Sequence, residues 1–268
     1  MRLTDIAFGS IALLGVSLLA FAITGLYRRY ALTRGVIDLP TDRSSHVQPT
    51  PRGGGISIVL CLFGASLVAF MHGDIPVQLV ITVCGPGGLI AAVGLIDDHV
   101  ALSAKWRLLV QTFAAVTAVW MLGGVGLISF GDTLIQSGVA GDVFAVLFLI
   151  WLTNLFNFMD GIDGIAGLEA TTVAFSTGAL LWGSGYATLA GCLAAASLGF
   201  LAWNWPPAKI FMGDVGSGFL GFVFGTLAIT THANGALDIW AWLVVLGVFV
   251  VDATVTLIRR VMRGERFY

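Results

Sequence analysis

Apolar segments long enough to cross a lipid bilayer recur along the whole chain. A helix needs about 20 predominantly apolar residues to cross a hydrocarbon core of roughly 30 Å. A chain that is 57% hydrophobic and 10% charged cannot bury so many of these segments inside one water-soluble globule. The sequence therefore predicts an all-α, polytopic integral membrane protein with about nine transmembrane helices. The predicted spans are 4–26, 54–71, 77–96, 106–122, 141–156, 164–182, 186–203, 216–231 and 238–258.

Basic residues are concentrated on one side of this predicted arrangement. Of the 13 Lys and Arg, all but Arg2 fall in alternate loops or in the C-terminal tail. The positive-inside rule makes that side cytoplasmic, so the N-terminus is predicted to be periplasmic. The net charge of −2 gives no argument for nucleic-acid binding. The basic residues of the cytoplasmic side are Arg28, Arg29, Arg34, Arg43, Arg52, Lys105, Arg107, Lys209, Arg259, Arg260, Arg263 and Arg266.

Three polar clusters fall on the same predicted cytoplasmic face. Four amides and carboxylates recur every third residue in an otherwise apolar, glycine-broken run, and on a helical turn they would crowd onto one side. Unpaired carboxylates at a membrane face have no packing role, so we expect the clusters to line one cleft. The clusters are Asn154, Asn157, Asp160 and Asp163 between spans five and six, Asp97 and Asp98 after span three, and Asp214 before span eight.

The acidic residues predict a magnesium site. Adjacent carboxylates such as Asp97 and Asp98 require a cation, a proton or water to compensate their charge. Mg²⁺ prefers oxygen ligands and typically takes one or two carboxylates together with substrate phosphates. The small residues around Asp214 would leave room for a phosphate-sized ligand. The predicted spans contain no His cluster and no thiolate set, which argues against zinc or iron.

Two further features either bind phosphate or are ordinary parts of solvent-exposed loops. Lys105 lies seven residues beyond Asp98 and is either a phosphate counter-charge or a simple cytoplasmic lysine. The loop Gly35–Gly55 ends in three glycines that would let the backbone approach a ligand closely, and it could equally be a solvated connection.

Taken together, the three motifs resemble those of the polyprenyl-phosphate N-acetylhexosamine-1-phosphate transferases, bacterial glycosyltransferase family 4. The match runs from Gly35 to the end of the chain in the family's order, and the agreement of three motifs makes it specific. The resemblance implies an all-helical enzyme of ten or eleven spans in the bacterial inner membrane, with its active site facing the cytoplasm. It implies Mg²⁺-dependent transfer of a sugar-1-phosphate from a UDP-sugar to undecaprenyl phosphate, with release of UMP.

The resemblance also implies roles for individual residues. Asp97, Asp98 and Asp214 would be catalytic, with Asp98 and Asp214 at the metal and Asp97 as the candidate acceptor of a proton from the lipid phosphate. The remaining site residues would contact the two substrates. Asn157, Asp160, Asp163 and Phe211 are expected at the nucleotide sugar, with Phe211 stacked on uracil, and Lys105, Arg52 and His46 at the donor or lipid phosphates.

Two departures from the family pattern refine the expectation. The run Pro49-Thr-Pro-Arg52-Gly-Gly-Gly differs from that of the peptidoglycan branch, which uses UDP-MurNAc-pentapeptide, and favours the branch that initiates O-antigen or other surface glycans. UDP-GlcNAc, UDP-FucNAc and UDP-QuiNAc are then candidate donors. The chain stops near the point where the family's His-containing loop would begin, so we expect residues 1–268 to form a single catalytic domain without that loop and the last span.

Other classes of membrane protein account less well for these residues. An ion-coupled transporter would place its carboxylates near the bilayer midplane, often in two repeated halves, and we detect no internal repeat. An intramembrane aspartyl protease leaves the polar run at 154–163 unexplained, and a CDP-alcohol phosphotransferase needs a different Asp spacing. Glu169, inside the sixth predicted span, is either functional or paired with a polar group of a neighbouring helix. The sequence leaves a homodimer open.

Overall fold

Helices make up nearly all of the regular structure. The computed structural model describes residues 3–40, 48–130 and 133–264. Two pairs of very short antiparallel strands accompany the helices. The all-α prediction is therefore confirmed. The helices are α1 Leu3–Arg34, α2 Ile56–Met71, α3 Val77–Cys84, α4 Pro86–His99, α5 Ala104–Leu122, α6 Gly138–Met159, α7 Ile165–Leu180, α8 Gly185–Asn204, α9 Asp214–Ala233, α10 Ile239–Val245 and α11 Gly247–Met262; the strands are β1 Ile37–Asp38, β2 Thr50–Pro51, β3 Leu127–Phe130 and β4 Thr133–Gln136.

All nine predicted spans coincide with helices, but fewer of these have the length and apolarity of a full span. Five do so within the described ranges, and the bent pair α10–α11 raises the number to six. Helices α2 and α7 have only 16 residues each, and α5 carries Lys105, Arg107 and Gln111 among its apolar residues. The chain is a multi-pass membrane protein. The five segments are Gly9–Arg34, Val77–His99, Gly138–Met159, Gly185–Asn204 and Asp214–Ala233.

The last predicted span, 238–258, is broken. Helices α10 and α11 meet at Leu246 with a bend of 75°. A break exposes backbone groups that a membrane cannot hydrate, so other protein groups must satisfy them. Glu169 of α7 supplies one such group, because its carboxylate accepts a hydrogen bond from the Phe249 backbone N–H near the start of α11. Glu169 is thus paired with a neighbouring helix through one oxygen, while its Oε1 is buried without a hydrogen-bond partner among the described residues.

Helix α9 is the centre of the bundle. Its 18 residues from Val215 to His232 are all buried. Two glycines bring neighbouring backbones into contact with it. A Cβ added at Gly221 would lie 2.2 Å from the Leu152 carbonyl oxygen of α6, and one added at Gly216 would lie 2.6 Å from the Cα of Gly55. The first residue of this central helix is Asp214.

The short strands fix the segment before α2. Ile37 pairs with Pro51 and Asp38 with Thr50. The backbone then continues beside the segment before α9, with Phe211 donating to the Pro51 carbonyl, and Gly54 and Gly55 donating to the carbonyls of Phe211 and Met212. This ladder holds the glycine triplet against the start of α9.

The Gly221 contact gives a test of this packing. Gly221→Ala is expected to destabilise the protein by about 1–3 kcal/mol, because the new methyl group meets a backbone atom that cannot move aside. Gly64→Ala is the matched control, since nothing lies within 4 Å of the added Cβ in the same kind of apolar helix. Thermal unfolding in detergent measures both. Equal melting temperatures for the two variants would contradict the α6–α9 packing.

Candidate active site

Asp98 joins the end of α4 to the beginning of α9. Its two carboxylate oxygens accept hydrogen bonds from the backbone N–H groups of Asp214, at 3.1 Å, and Val215, at 3.2 Å. Only 1% of its side chain is exposed. A carboxylate at a helix N-terminus satisfies N–H groups that have no partner within the helix and interacts favourably with the helix dipole. Gly213, with φ of 76°, leaves the space that this side chain occupies.

Arg52 binds the other side of the same junction. Its Nε donates to the Asp98 carbonyl oxygen at 2.9 Å, and Nη2 donates to the Asp97 carbonyl oxygen at 3.1 Å. These carbonyls belong to the last turn of α4, where a cation is stabilising. Arg52 therefore lies at the end of α4, next to Asp97 and Asp98. About a third of its side chain stays exposed, at 33%, so some of its donors can face a ligand.

A carboxylate pair bridged by one arginine forms the open part of the site. Nη1 of Arg107 lies 2.9 Å from Asp97 Oδ2 and 3.2 Å from Asp214 Oδ2. The Asp97 and Asp214 carboxyl groups are also within hydrogen-bonding distance of each other. The backbone N–H of Leu102 donates to the second oxygen of Asp97. The predicted convergence of the 97–98 cluster with Asp214 is thus present.

Arg107 is a site residue that the sequence motifs did not predict. Lys105 was singled out instead, and its side chain is exposed, with no hydrogen bond or ion pair inside the described ranges. Two residues correspond to about 200° of helix rotation, so Lys105 and Arg107 point in nearly opposite directions from the first turns of α5. Distance along the chain from Asp98 could not distinguish them. Helical phase relative to the buried face of α5 was the available signal.

The polar run at 154–163 does not stay on one helix face. Asn154 and Asn157 lie on α6, but the helix ends at Met159, and Asp160 and Asp163 lie in the connection that follows. Gly164, with φ of 78°, permits the turn into α7. The expectation that all four side chains share one side of a helix is therefore wrong for the last two.

Asn157 and Asp160 nevertheless reach the start of α9. Asn157 Nδ2 donates to Ser217 Oγ at 3.2 Å, and the same amide is within hydrogen-bonding distance of the Asp214 carboxylate. Asp160 accepts a hydrogen bond from the Gly213 backbone N–H. Burial raises the pKa of the Asp160 carboxyl well above its usual range, and the nearby Asp214 and Asp98 charges raise it further.

Asp163 and Phe211 lie in the loops around this centre. Asp163 Oδ2 accepts from the Ala208 backbone N–H at 2.9 Å, which ties the α6–α7 connection to the α8–α9 connection. Asn204 links the same two connections, because it accepts from the Gly164 N–H and donates to the Ile210 carbonyl oxygen. The Phe211 side chain is half-buried. His46 lies outside the described residues.

A small cavity opens beside the carboxylate pair. It has a volume of about 60 Å³ and lies between α4, α5, α6 and α9. Arg107, Asn157 and Asp214 line it, together with an amide pair that spans α5 and α6. In that pair Asn154 Nδ2 donates to Gln111 Oε1 at 2.7 Å. Gln111, a polar residue inside an apolar segment, was not among the predicted site residues.

The donor set fits a magnesium ion that arrives with phosphate. Within the residues that the structure describes, no group of three or more His, Cys, Asp and Glu side chains is arranged to hold a metal. Asp97 and Asp214 instead form a carboxylate pair that already surrounds a cationic group, the Arg107 guanidinium. One or two carboxylates completed by water and substrate phosphates are typical of Mg²⁺. Both oxygens of Asp98, expected at the metal, are engaged by backbone N–H groups.

Comparison with known proteins decides the family. The profile named "Glycosyl transferase family 4" matches residues 78–232, which include the residues that form the carboxylate pair and its arginine bridge. The chain belongs to glycosyl transferase family 4. This family 4 transferase is accordingly an enzyme of the phosphoglycosyl transferase class, and the resemblance stated from its motifs is confirmed.

Curated relatives of the family 4 transferase extend over most of the chain. Decaprenyl-phosphate N-acetylglucosaminephosphotransferase of Mycolicibacterium smegmatis is 34% identical, covering 94% of this chain and 70% of the relative. The probable undecaprenyl-phosphate N-acetylglucosaminyl 1-phosphate transferase of Bacillus subtilis is 32% identical, covering 93% and 71%. Undecaprenyl-phosphate alpha-N-acetylglucosaminyl 1-phosphate transferase of Salmonella typhi is 30% identical, covering 89% and 67%.

The arginine bridge gives a test that separates Arg107 from Lys105. Arg107→Ala is expected to reduce transferase activity about 100-fold or more, because two close carboxylates then repel each other and the substrate phosphates lose a positive charge. Lys105→Ala removes the same charge from the same helix end and is expected to reduce transferase activity less than tenfold. Initial rates of sugar-phosphate transfer measure both. A larger loss for Lys105→Ala would contradict this assignment.

Asp160 gives a test of the local electrostatics. In the unfolded chain its pKa is near 4, whereas the folded site holds it higher, so the folded state loses stability as pH rises from about 4 through the folded value. Asp160→Asn removes this cost and should melt a few degrees above wild type at pH 8, with no gain at pH 4. The measurement is thermal unfolding in EDTA. Asp74→Asn, at an exposed position, is the control; a gain that does not depend on pH would contradict the prediction.

Proposed function

We propose that this enzyme transfers an N-acetylhexosamine-1-phosphate from a UDP-sugar to undecaprenyl phosphate, releasing UMP. N-acetylglucosamine is the preferred sugar, because the relatives from Mycolicibacterium smegmatis, Bacillus subtilis and Salmonella typhi are described as N-acetylglucosamine phosphate transferases. The single observation that carries the proposal is the Asp97–Arg107–Asp214 cluster at the end of two membrane helices. In a reaction between a lipid-borne phosphate and a water-soluble nucleotide, the charged groups of the enzyme must lie at the boundary between membrane and water.

The reaction is an attack of one phosphate on another. A new P–O bond forms between an oxygen of the lipid phosphate and the sugar-bearing phosphorus, and the bond from that phosphorus to the oxygen of the leaving UMP breaks. Both reactants are anionic, so positive charge must offset their repulsion. Arg107 supplies one such charge, and the exposed part of Arg52 lies near the same helix end.

Each chain residue has a distinct role in this proposal. Asp97 takes the proton of the lipid phosphate, and the Leu102 N–H together with Arg107 keeps it oriented. Asp98 holds the start of α9, so it positions Asp214 through the backbone. Asn157 orients the Asp214 side chain. Asp160, Asp163 and Phe211 form the nucleotide side of the site, where Phe211 stacks on the base.

Magnesium fits the same cluster. Asp214 would hold the ion together with the donor phosphates, with Asp98 behind it as the group that fixes the helix end and Asp97 beside it as the proton acceptor. When bound, Mg²⁺ supplies charge neutralisation for the diphosphate without any proton transfer. Mg²⁺ and Arg107 would then together neutralise about three to four negative charges at pH 7, two on the donor diphosphate and one to two on the lipid phosphate.

The cellular setting follows from the charge pattern. The positive-inside rule supports a cytoplasmic active site in a bacterial inner membrane. We propose that the product initiates O-antigen or another surface glycan, since Pro49–Gly55 differs from the peptidoglycan branch. UDP-MurNAc-pentapeptide is the competing donor and belongs in the panel of UDP-sugars that tests the proposal.

The test is a transfer assay with purified protein, undecaprenyl phosphate and a panel of radiolabelled UDP-sugars. We expect UMP release with UDP-N-acetylglucosamine, dependence on Mg²⁺ that EDTA abolishes, and a loss of about 100-fold or more in Asp214→Asn. Asp74→Asn is the matched control and should keep full activity. Turnover in EDTA, a fully active Asp214→Asn, or use of UDP-MurNAc-pentapeptide alone would each reject the corresponding part of the proposal.

A further inference from the structure

Two cationic side chains lie over the ring of Trp203, a tryptophan at the end of α8. The Arg28 guanidinium carbon lies 5.9 Å from the centre of the Trp203 ring, and the Lys209 ammonium lies 5.7 Å from it. The indole is fixed in place, because its Nε1–H donates to the Phe21 carbonyl oxygen at 3.0 Å. Cations over the face of tryptophan are attracted by the ring quadrupole. Trp203 therefore acts as a platform that holds two positive charges together.

The backbone reinforces this arrangement. Arg28 Nε donates to the Lys209 carbonyl oxygen at 3.0 Å, and the Lys209 N–H donates to the Trp203 carbonyl oxygen at 2.8 Å. Neither cation makes a salt bridge in the part of the chain that the structure describes. Arg28 keeps its two terminal nitrogens available as donors, and Lys209 keeps three. The pair is thus preorganised and has no carboxylate partner there.

An apolar groove begins beside the platform. It has a volume of about 400 Å³ and lies between α1 and α8. The two helices touch at Gly199, where an added Cβ would meet the Ser17 carbonyl oxygen at 2.1 Å, and this close contact forms the floor. The Phe21 ring lies 5.0 Å from the Trp203 ring and so connects the groove to the cations. The apolar lining residues are Leu18, Phe21, Leu198, Leu201, Ala202 and Trp205.

We propose that this groove and its cation pair bind an anionic glycerophospholipid of the surrounding bilayer. Its phosphate lies against Arg28 and Lys209, and one acyl chain follows the groove between α1 and α8. Basic pockets between transmembrane helices on the cytoplasmic side attract anionic headgroups, and tryptophan belongs at that interface. A zwitterionic lipid gains less, because its own cation competes with the pair.

The polyprenyl phosphate acceptor is a less suitable occupant. The glycine triplet lies between the groove and the carboxylate pair: an added Cβ at Gly54 would meet the Phe200 ring of α8, and one at Gly55 would meet Gly216 of α9. Among the described residues neither Arg28 nor Lys209 bonds to Asp97, Arg107 or Asp214, so a phosphate on the Trp203 platform would be bound apart from that cluster. Lys209 lies in the connection that leads from α8 to Asp214, so bound phospholipid would tether this connection to α1.

The test compares lipid binding by native mass spectrometry of the purified full chain. Phosphatidylglycerol and phosphatidylcholine with identical acyl chains are the probes. We expect phosphatidylglycerol to bind about tenfold more tightly, and the double variant Arg28→Gln with Lys209→Gln to lose that preference. The control Arg29→Gln with Arg34→Gln removes the same charge from the same end of α1 and should change binding less than about threefold.

Two further variants separate binding from folding. Arg28→Lys with Lys209→Arg keeps both charges and should keep the preference, whereas Ala202→Trp fills the groove without changing charge and should weaken binding. Equal binding of both lipids by wild type, or an unchanged preference in the double Gln variant, would overturn the proposal. Displacement of phosphatidylglycerol by equimolar undecaprenyl phosphate would assign the groove to the acceptor and would overturn it as well.

Discussion

The hydrogen bonds from the first N–H groups of α9 to Asp98 are the interaction on which the site depends. Both oxygens of this carboxylate are used, and its side chain is almost completely buried. In a low-dielectric interior, such a charge is stable only where donors and a helix dipole compensate it. The same contact sets where the central helix begins, and so it places Asp214 beside Asp97 and Arg107.

The remaining polar contacts serve the same junction from other directions. Arg52 binds the last carbonyls of α4, Asp160 binds the Gly213 N–H, and Asp163 binds the Ala208 N–H. Three of the connections between helices therefore converge on this junction. Most of these groups bind backbone rather than face open space, which leaves Asp97, Asp214 and Arg107 as the groups best placed for a phosphate ligand. A site of this kind combines rigid surroundings with a small set of exposed charges.

Sequence patterns predicted the acidic clusters but not which contact each acidic residue makes. Asp97 and Asp98 are adjacent and chemically identical, yet one faces a cavity-lining arginine and the other caps a helix. Lys105 and Arg107 have the same charge and differ in helical phase by about 200°. The run 154–163 keeps a three-residue spacing across a helix end, where spacing no longer determines direction. In each case the missing information was the orientation of an element relative to its neighbours.

The sequence by itself determined the all-α, multi-pass membrane class, the acidic clusters that meet in the site and the family. These properties follow from hydrophobic length, charge asymmetry and motif order, all of which are local or additive along the chain. Only the tertiary structure decided that Arg107 bridges Asp97 and Asp214, that Asp98 caps α9, that the last predicted span bends by 75°, and that Trp203 gathers two cations. Those outcomes depend on contacts between residues far apart in sequence, which no local pattern encodes.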